Sequence, residues 1–141
     1  MKSVVFIFLS LFGVALFGAD DGEKIFDEKC MMCHVKGMPQ DMSNLVAPPV
    51  NGVMRHVKMD YQSRGAAVAF ISDYVINPTK QKAVCKSQKI QRFGLMPSQK
   101  GNITKEELQI VANWLFDNYP AKGFKGRGNG RGNGRGGRSF R

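Results

Sequence analysis

Cys30-Met31-Met32-Cys33-His34 decides how this chain is read. The pattern is C-x-x-C-H, and its spacing follows from a covalent reaction. Two thiols set two residues apart reach the two vinyl groups of a haem and add across them as thioethers. The histidine that follows is then carried beneath the iron, where an imidazole nitrogen serves as proximal ligand. Three other readings of the same residues compete. A thioredoxin-type dithiol belongs between a strand and a helix, and no convincing strand pattern occurs in this sequence. Zinc needs four ligands, and no second C-x-x-C or histidine pair completes the set. A plain disulfide leaves the placement of His34 a coincidence.

Outward from the motif the chain reads as helices. Asp20 with Glu23 three residues on has the form of a capping box. Ile25 and Phe26 supply the apolar face of a helix that starts at Asp20 or Asp21 and runs into Cys30. Residues 35–61 have no sustained period and are punctuated by Gly37, Pro39, Pro48, Pro49 and Gly52, which predicts a loop with a turn of helix near 53–57. Ala67, Phe70, Ile71, Tyr74 and Val75 fall at helical spacing over 63–76, and Asn77-Pro78 ends that helix. A shorter helix is expected over 82–93, closed by Gly94. The clearest helix opens with the capping box of Thr104 and Glu107, carries Leu108, Val111, Trp114 and Leu115 on one face, and ends near Tyr119-Pro120. The expected fold class is all-α with long loops, and long loops in so small a domain call for a buried group to organise them.

The two ends differ from the middle. Met1-Lys2-Ser3, an apolar run from Val4 to Phe17 and then Gly18-Ala19 form a secretory signal, with cleavage expected near Ala19 and an uncleaved anchor as the alternative. Either way the remainder lies outside the membrane, in the periplasm. From Lys122 to Arg141 the chain is Gly, Asn and Arg of low complexity, with almost no apolar surface to offset the entropy of ordering. The expected division is therefore 1–19 signal, 20–121 domain and 122–141 disordered basic tail. The net charge of +10 is unevenly spread. Lys2 and the seven cations of the tail supply eight of those charges, so the domain between them is near neutral at +2.

Haem iron takes a sixth ligand, and Met96 in Gly94-Leu95-Met96-Pro97 is the candidate. It lies in a turn, from which a side chain can be aimed at a metal. A thioether is a soft ligand that favours ferrous iron and raises the reduction potential. Met38 and Met42 lie too close to His34 to reach the opposite haem face easily. Met54, Met59, His56, Cys85 and an open site stay as alternatives.

These residues resemble a class I c-type cytochrome, the small monohaem carriers with His/Met ligation, over roughly residues 20–119. Gly22, Phe26 and Cys30 match the family's first helix, Val111 and Trp114 match the aromatic contact of its last helix, and Met96-Pro97 follows His34 by about sixty residues, as in the family. The resemblance implies one covalent haem c held by Cys30 and Cys33, iron ligated by His34 and Met96, and a proline carbonyl, Pro48 or Pro49 with Pro48 favoured, bonded to the other nitrogen of the proximal histidine. It implies an electron carrier, not an enzyme. Its partners would be redox proteins such as a quinol-oxidising complex, a terminal oxidase or a periplasmic reductase.

Some features fall outside that pattern. Lys80, Lys82, Lys86, Lys89, Arg92 and Lys100 lead into the Met96 turn without an acid among them, and either ring the haem edge or form a solvated face. Cys85 sits among them, where neighbouring lysines are expected to lower its pKa. It pairs between chains, ligates iron in a sulfur or peroxide enzyme, or is an inert buried thiol. For the tail, a nucleic-acid role is weak outside the cytoplasm. Loose contact with anionic lipid or an acidic partner, or a neutral extension, fits better.

Overall fold

The computed structural model describes residues 19–85 and 87–126, so the expected signal and the tail beyond Gly126 lie outside the described residues. The described chain forms five α-helices: α1 (Ala19–Lys29), α2 (Val50–Asp60), α3 (Arg64–Ile76), α4 (Ser87–Phe93) and α5 (Lys105–Asn118). Among the described residues no strand forms, only an isolated bridge between Lys100 and Ile103. The all-α expectation holds. No described helix is long and apolar enough to cross a membrane.

α5 is the element on which the others are assembled. α1 and α3 both pack on it, and α2 touches it more lightly. The core is Phe26, Val50, Met54, Val57, Ala67, Val68, Ile71, Leu108, Val111, Ala112 and Trp114. Phe26, Met54, Val57 and Val111 are essentially fully buried, and each such side chain contributes roughly 1.5–3 kcal/mol by leaving water. α1 crosses α5 at Gly22, where a Cβ would meet Trp114 Cβ at 2.2 Å. Trp114 in turn packs on Phe26 with ring centroids 5.4 Å apart and meets Tyr119 edge-on at 5.4 Å.

The helices begin where the local chemistry allows. Ser63 Oγ accepts from Ala66 N at the start of α3. At α5 Thr104 Oγ1 accepts from Glu107 N at 3.1 Å and Glu107 Oε2 accepts from Thr104 N at 2.9 Å, the reciprocal pair expected from the sequence. The Glu107 carboxylate also meets Lys29 at 3.3 Å, which ties the end of α1 to the start of α5. Thr104→Ala removes one arm of that pair and should lower the urea midpoint by an amount equivalent to about 1 kcal/mol.

Several expected boundaries move. α1 already includes Ala19, one residue before the expected start at Asp20 or Asp21. α2 is a full helix of 11 residues, not a single turn in a loop. Pro49 is its N-cap at φ −56°, and Val50, Met54 and Val57 are buried one turn apart. α4 covers only the second half of the expected 82–93 helix, and Gly94 closes it with φ 76°. α3 is apolar nearly all round because it has two tasks. Ala67, Val68 and Ile71 are buried, while Phe70, Ile71, Tyr74 and Val75 line a cavity. After α5 the chain turns at Ala121, with Phe124 N bonded to Ala121 O at 3.0 Å, and Gly126 comes to lie against Arg55 of α2.

Candidate haem site

α1 ends one residue before the first motif cysteine, and the motif itself forms a tight turn. Cys33 N and His34 N both bond to Cys30 O, at 3.1 and 2.9 Å. This turn brings Cys30, Cys33 and His34 to one cavity of about 620 Å³, within the roughly 300–1,000 Å³ typical of ligand and cofactor sites. Pro48, Cys85 and Met96 line the same cavity, and most of the remaining wall is aliphatic or aromatic, including Val53, Val57, Phe70, Ile71, Leu108 and Leu115. Residues from every helix and from the Met96 turn thus meet at one space that their own side chains do not fill.

His34 is held with a defined tautomer. Its Nδ1 lies 2.9 Å from Pro48 O, and a carbonyl only accepts, so Nδ1 carries the proton. Burial pushes the His34 pKa below its usual value, against a smaller upward pull from the Pro48 bond. The ring is therefore neutral near pH 7, and its Nε2 keeps a lone pair for a metal. Three pairings zip this loop to the start of α2. His34 Nδ1 donates to Pro48 O, Val50 N donates to Val35 O at 3.0 Å, and Asn51 Nδ2 donates to Lys36 O at 2.8 Å. Lys36 itself pairs with Glu23 and Asp27 of α1, each at 2.6 Å, and lies over the Trp114 ring at 5.6 Å.

None of the three cysteines is in a disulfide. Burial, then the neighbouring Cys33, pushes the Cys30 thiol up to about 11. Cys85 departs from the expected lowering by its lysines and agrees with the reading of a buried, inert thiol. Burial raises its pKa and outweighs the lowering by Lys89, so it is held as a thiol and not as a reactive thiolate. Counting lysines along the sequence weighed the charge and missed the desolvation.

The Met96 turn is pinned to the end of α3. Gln99 N donates to Val75 O at 3.0 Å, and Ser98 Oγ donates to Ile76 O at 2.5 Å. Of the alternatives for a sixth ligand, Met54 also lines the cavity but is only 1% exposed, packed in the core between α2 and its neighbours. Met38, Met42, Met59 and His56 are absent from the cavity wall. Around the mouth Met32, Val46 and Leu95 are 87%, 64% and 37% exposed and still line the cavity, which makes its rim apolar. The expected basic ring is less free than its sequence suggests. Lys82 pairs with Asp73 at 2.6 Å, Arg92 donates to Met42 O, and Lys89 lines the cavity while lying over Phe93. Lys86 lies outside the described residues.

The donor set fits a haem. Two thiols on one turn, a neutral imidazole with one nitrogen bare, a thioether and an apolar wall are the groups that haem attachment and ligation require. Sequence reasoning missed Asn51. Its partners lie 15 and 70 residues away, so no local pattern marks it.

The family model described as cytochrome c oxidase, cbb3-type, subunit III matches residues 18–115. A protein of Aquifex aeolicus (strain VF5), named only as an uncharacterized protein, is 30% identical over 111 residues, covering 70% of this chain and 73% of its own length. No solved structure matches. With the family model spanning most of the chain and the described helices forming the all-α cytochrome c fold, the chain belongs to this cytochrome family: it is a c-type cytochrome, a haem-based carrier of electrons.

Proposed function

We propose that this chain is an exported one-electron carrier with a single covalent haem c, attached through Cys30 and Cys33 and ligated by His34 and Met96. The observation that carries the reading is the convergence of these four side chains on one apolar cavity, although they come from opposite ends of the domain. Bound there, haem supplies a one-electron exchange between ferric and ferrous iron. His34 presents Nε2 while its Nδ1–H bond to Pro48 fixes the ring and makes the imidazole a stronger donor. Met96 offers a thioether, which favours the ferrous state. If His34 and Met96 both ligate the iron, no open ligand position would be left for a substrate, and the group would supply electron transfer past the exposed apolar rim of Met32, Val46 and Leu95.

The family points to redox partners in respiratory chains. A quinol-oxidising complex, a terminal oxidase or a periplasmic reductase suits a carrier of this kind. The leader-like residues 4–17 support a periplasmic location. They also support the division into signal, domain over 20–121 and basic tail. The arginines of that tail suit weak contact with anionic lipid.

The visible spectrum of the purified protein tests the reading. The oxidised protein should show the weak far-red band of a thioether–ferric bond, and Met96→Ala should lose it, bind cyanide or carbon monoxide rapidly and shift to lower potential. Rapid cyanide binding by the unsubstituted protein would instead indicate an open iron site and favour a sulfur or peroxide enzyme in which Cys85 takes part.

A further inference from the structure

Asn51 is the buried polar residue of the described core, at 6% exposed, and both ends of its amide are used. Nδ2 donates to Lys36 O at 2.8 Å, two residues beyond His34. Oδ1 accepts from Ala121 N at 2.7 Å, in the segment that follows α5. One turn further along α2, Arg55 packs so closely on Gly126 that a Cβ there would come within 2.6 Å of the guanidinium. The segment leading into the basic tail therefore runs along α2, and the carbonyl that His34 bonds belongs to Pro48, the residue just ahead of the Pro49 N-cap of that helix.

A short buried amide with two satisfied partners permits few alternative arrangements. If the segment at Ala121 lifts away, Asn51 Oδ1 is left without a partner in a buried place. Either the side chain turns and gives up Lys36 O, or water enters beside the zipped pairing of 34–36 with 48–51. Both outcomes loosen the bond that His34 donates to Pro48. A second connection shares the load, since the Lys36 side chain is clamped to α1 by Glu23 and Asp27. That clamp holds the far side of the loop and leaves its pairing with α2 to the bonds named above.

We propose that Asn51 is a positioning residue that couples docking of the segment after α5 to the hydrogen bond between His34 and Pro48, and through it to the reduction potential. The proposal rests on the reading of His34 as proximal ligand. A firmer His34–Pro48 bond makes the imidazole more electron-donating and favours ferric iron, so loosening it should raise the potential.

The test uses the full-length holoprotein. Asn51→Leu keeps the branching and heavy-atom count of the side chain and removes both bonds, and Ala121→Pro removes the donor to Asn51 while leaving its bond to Lys36 O. Each is expected to shift the equilibrium with a fixed redox mediator toward the reduced form by on the order of threefold, since each acts on the ligand only through the His34–Pro48 bond. The double variant should shift no further than Asn51→Leu alone, because both changes break the same link. In the unsubstituted protein, which needs no variant to fold, the Ala121 amide and the His34 Nδ1 proton should exchange with solvent through a common opening, with the same dependence on denaturant. Unchanged potentials in both variants, strictly additive shifts, or unrelated exchange of the two protons would overturn the coupling. A His34→Ala protein with an unaltered haem spectrum would overturn the ligand assignment instead, and the two failures are told apart by that measurement.

Discussion

Replacing Cys30 and Cys33 together with serine is expected to give a colourless polypeptide without a cooperative unfolding transition. The two thiols are the only groups proposed to hold haem covalently, and the remaining contacts are one imidazole, one thioether and apolar packing. Without haem the chain would have to deal with a cavity of about 620 Å³ lined largely by apolar side chains. At roughly 24 cal/mol per Å³ of unfilled volume, leaving it dry would cost on the order of 15 kcal/mol. Whole domains are stable by about 5–15 kcal/mol, so a dry, unfilled cavity of this size would offset the stability of a whole domain. The double variant is expected to admit water or collapse around the site, and either weakens the apolar packing that holds the helices there. Calorimetry and a haem stain on a denaturing gel check both halves of the expectation. A single Cys33→Ser change is milder. One thioether through Cys30 should keep the haem on the chain after denaturation, with a red-shifted ferrous band from the unreacted vinyl group. A double variant that is still red after denaturation, and still melts cooperatively, would refute covalent attachment through these residues.

The site was legible in the sequence where covalent chemistry dictates the spacing, and illegible where packing does. C-x-x-C-H needs no neighbours to be recognised, because vinyl groups and iron would themselves dictate the spacing of Cys30, Cys33 and His34 on the proposed reading. Met96-Pro97 stands out in the sequence because a turn is a local feature. Its anchoring by Ser98 and Gln99 to the end of α3 depends on partners more than twenty residues away and left no local trace. α2 was hidden by its own punctuation. Val50, Met54 and Val57 have helical spacing, but Pro48, Pro49 and Gly52 read as loop signals. A proline just ahead of a helix is in fact well placed, since its missing N–H would have found no intrahelical partner there. Cys85 shows the opposite error, in which a legible charge pattern was outweighed by burial that depends on the fold.

Gly22→Ala carries the second large effect, and it separates two forces of opposite sign. By helix propensity alone, alanine in the body of α1 should stabilise by about 1 kcal/mol. The α1–α5 crossing opposes this. The new Cβ would lie 2.2 Å from Trp114 Cβ and 2.6 Å from Trp114 Cγ, far inside contact distance, and Trp114 cannot swing aside. The residue is 8% exposed and its ring is enclosed by Phe26, Tyr119 and the Lys36 ammonium. Overpacking costs typically about 1–3 kcal/mol where side chains can adjust. Here the obstruction is a Cβ fixed to a helix backbone, so α1 must move as a body, and a net loss of about 3 kcal/mol is expected. That displacement reaches the site, because α1 leads straight into Cys30. Haem incorporation during expression should fall together with the melting temperature. The decisive control is the double variant with Trp114→Ala. If the clash were with the indole, truncating it would restore the loss. Since alanine retains the Cβ that stands 2.2 Å away, the double variant should be worse than Gly22→Ala, by the further 3–5 kcal/mol or so of a buried tryptophan removed. Recovery of stability in the double variant would mean that the two helices approach through their side chains and not through their backbones.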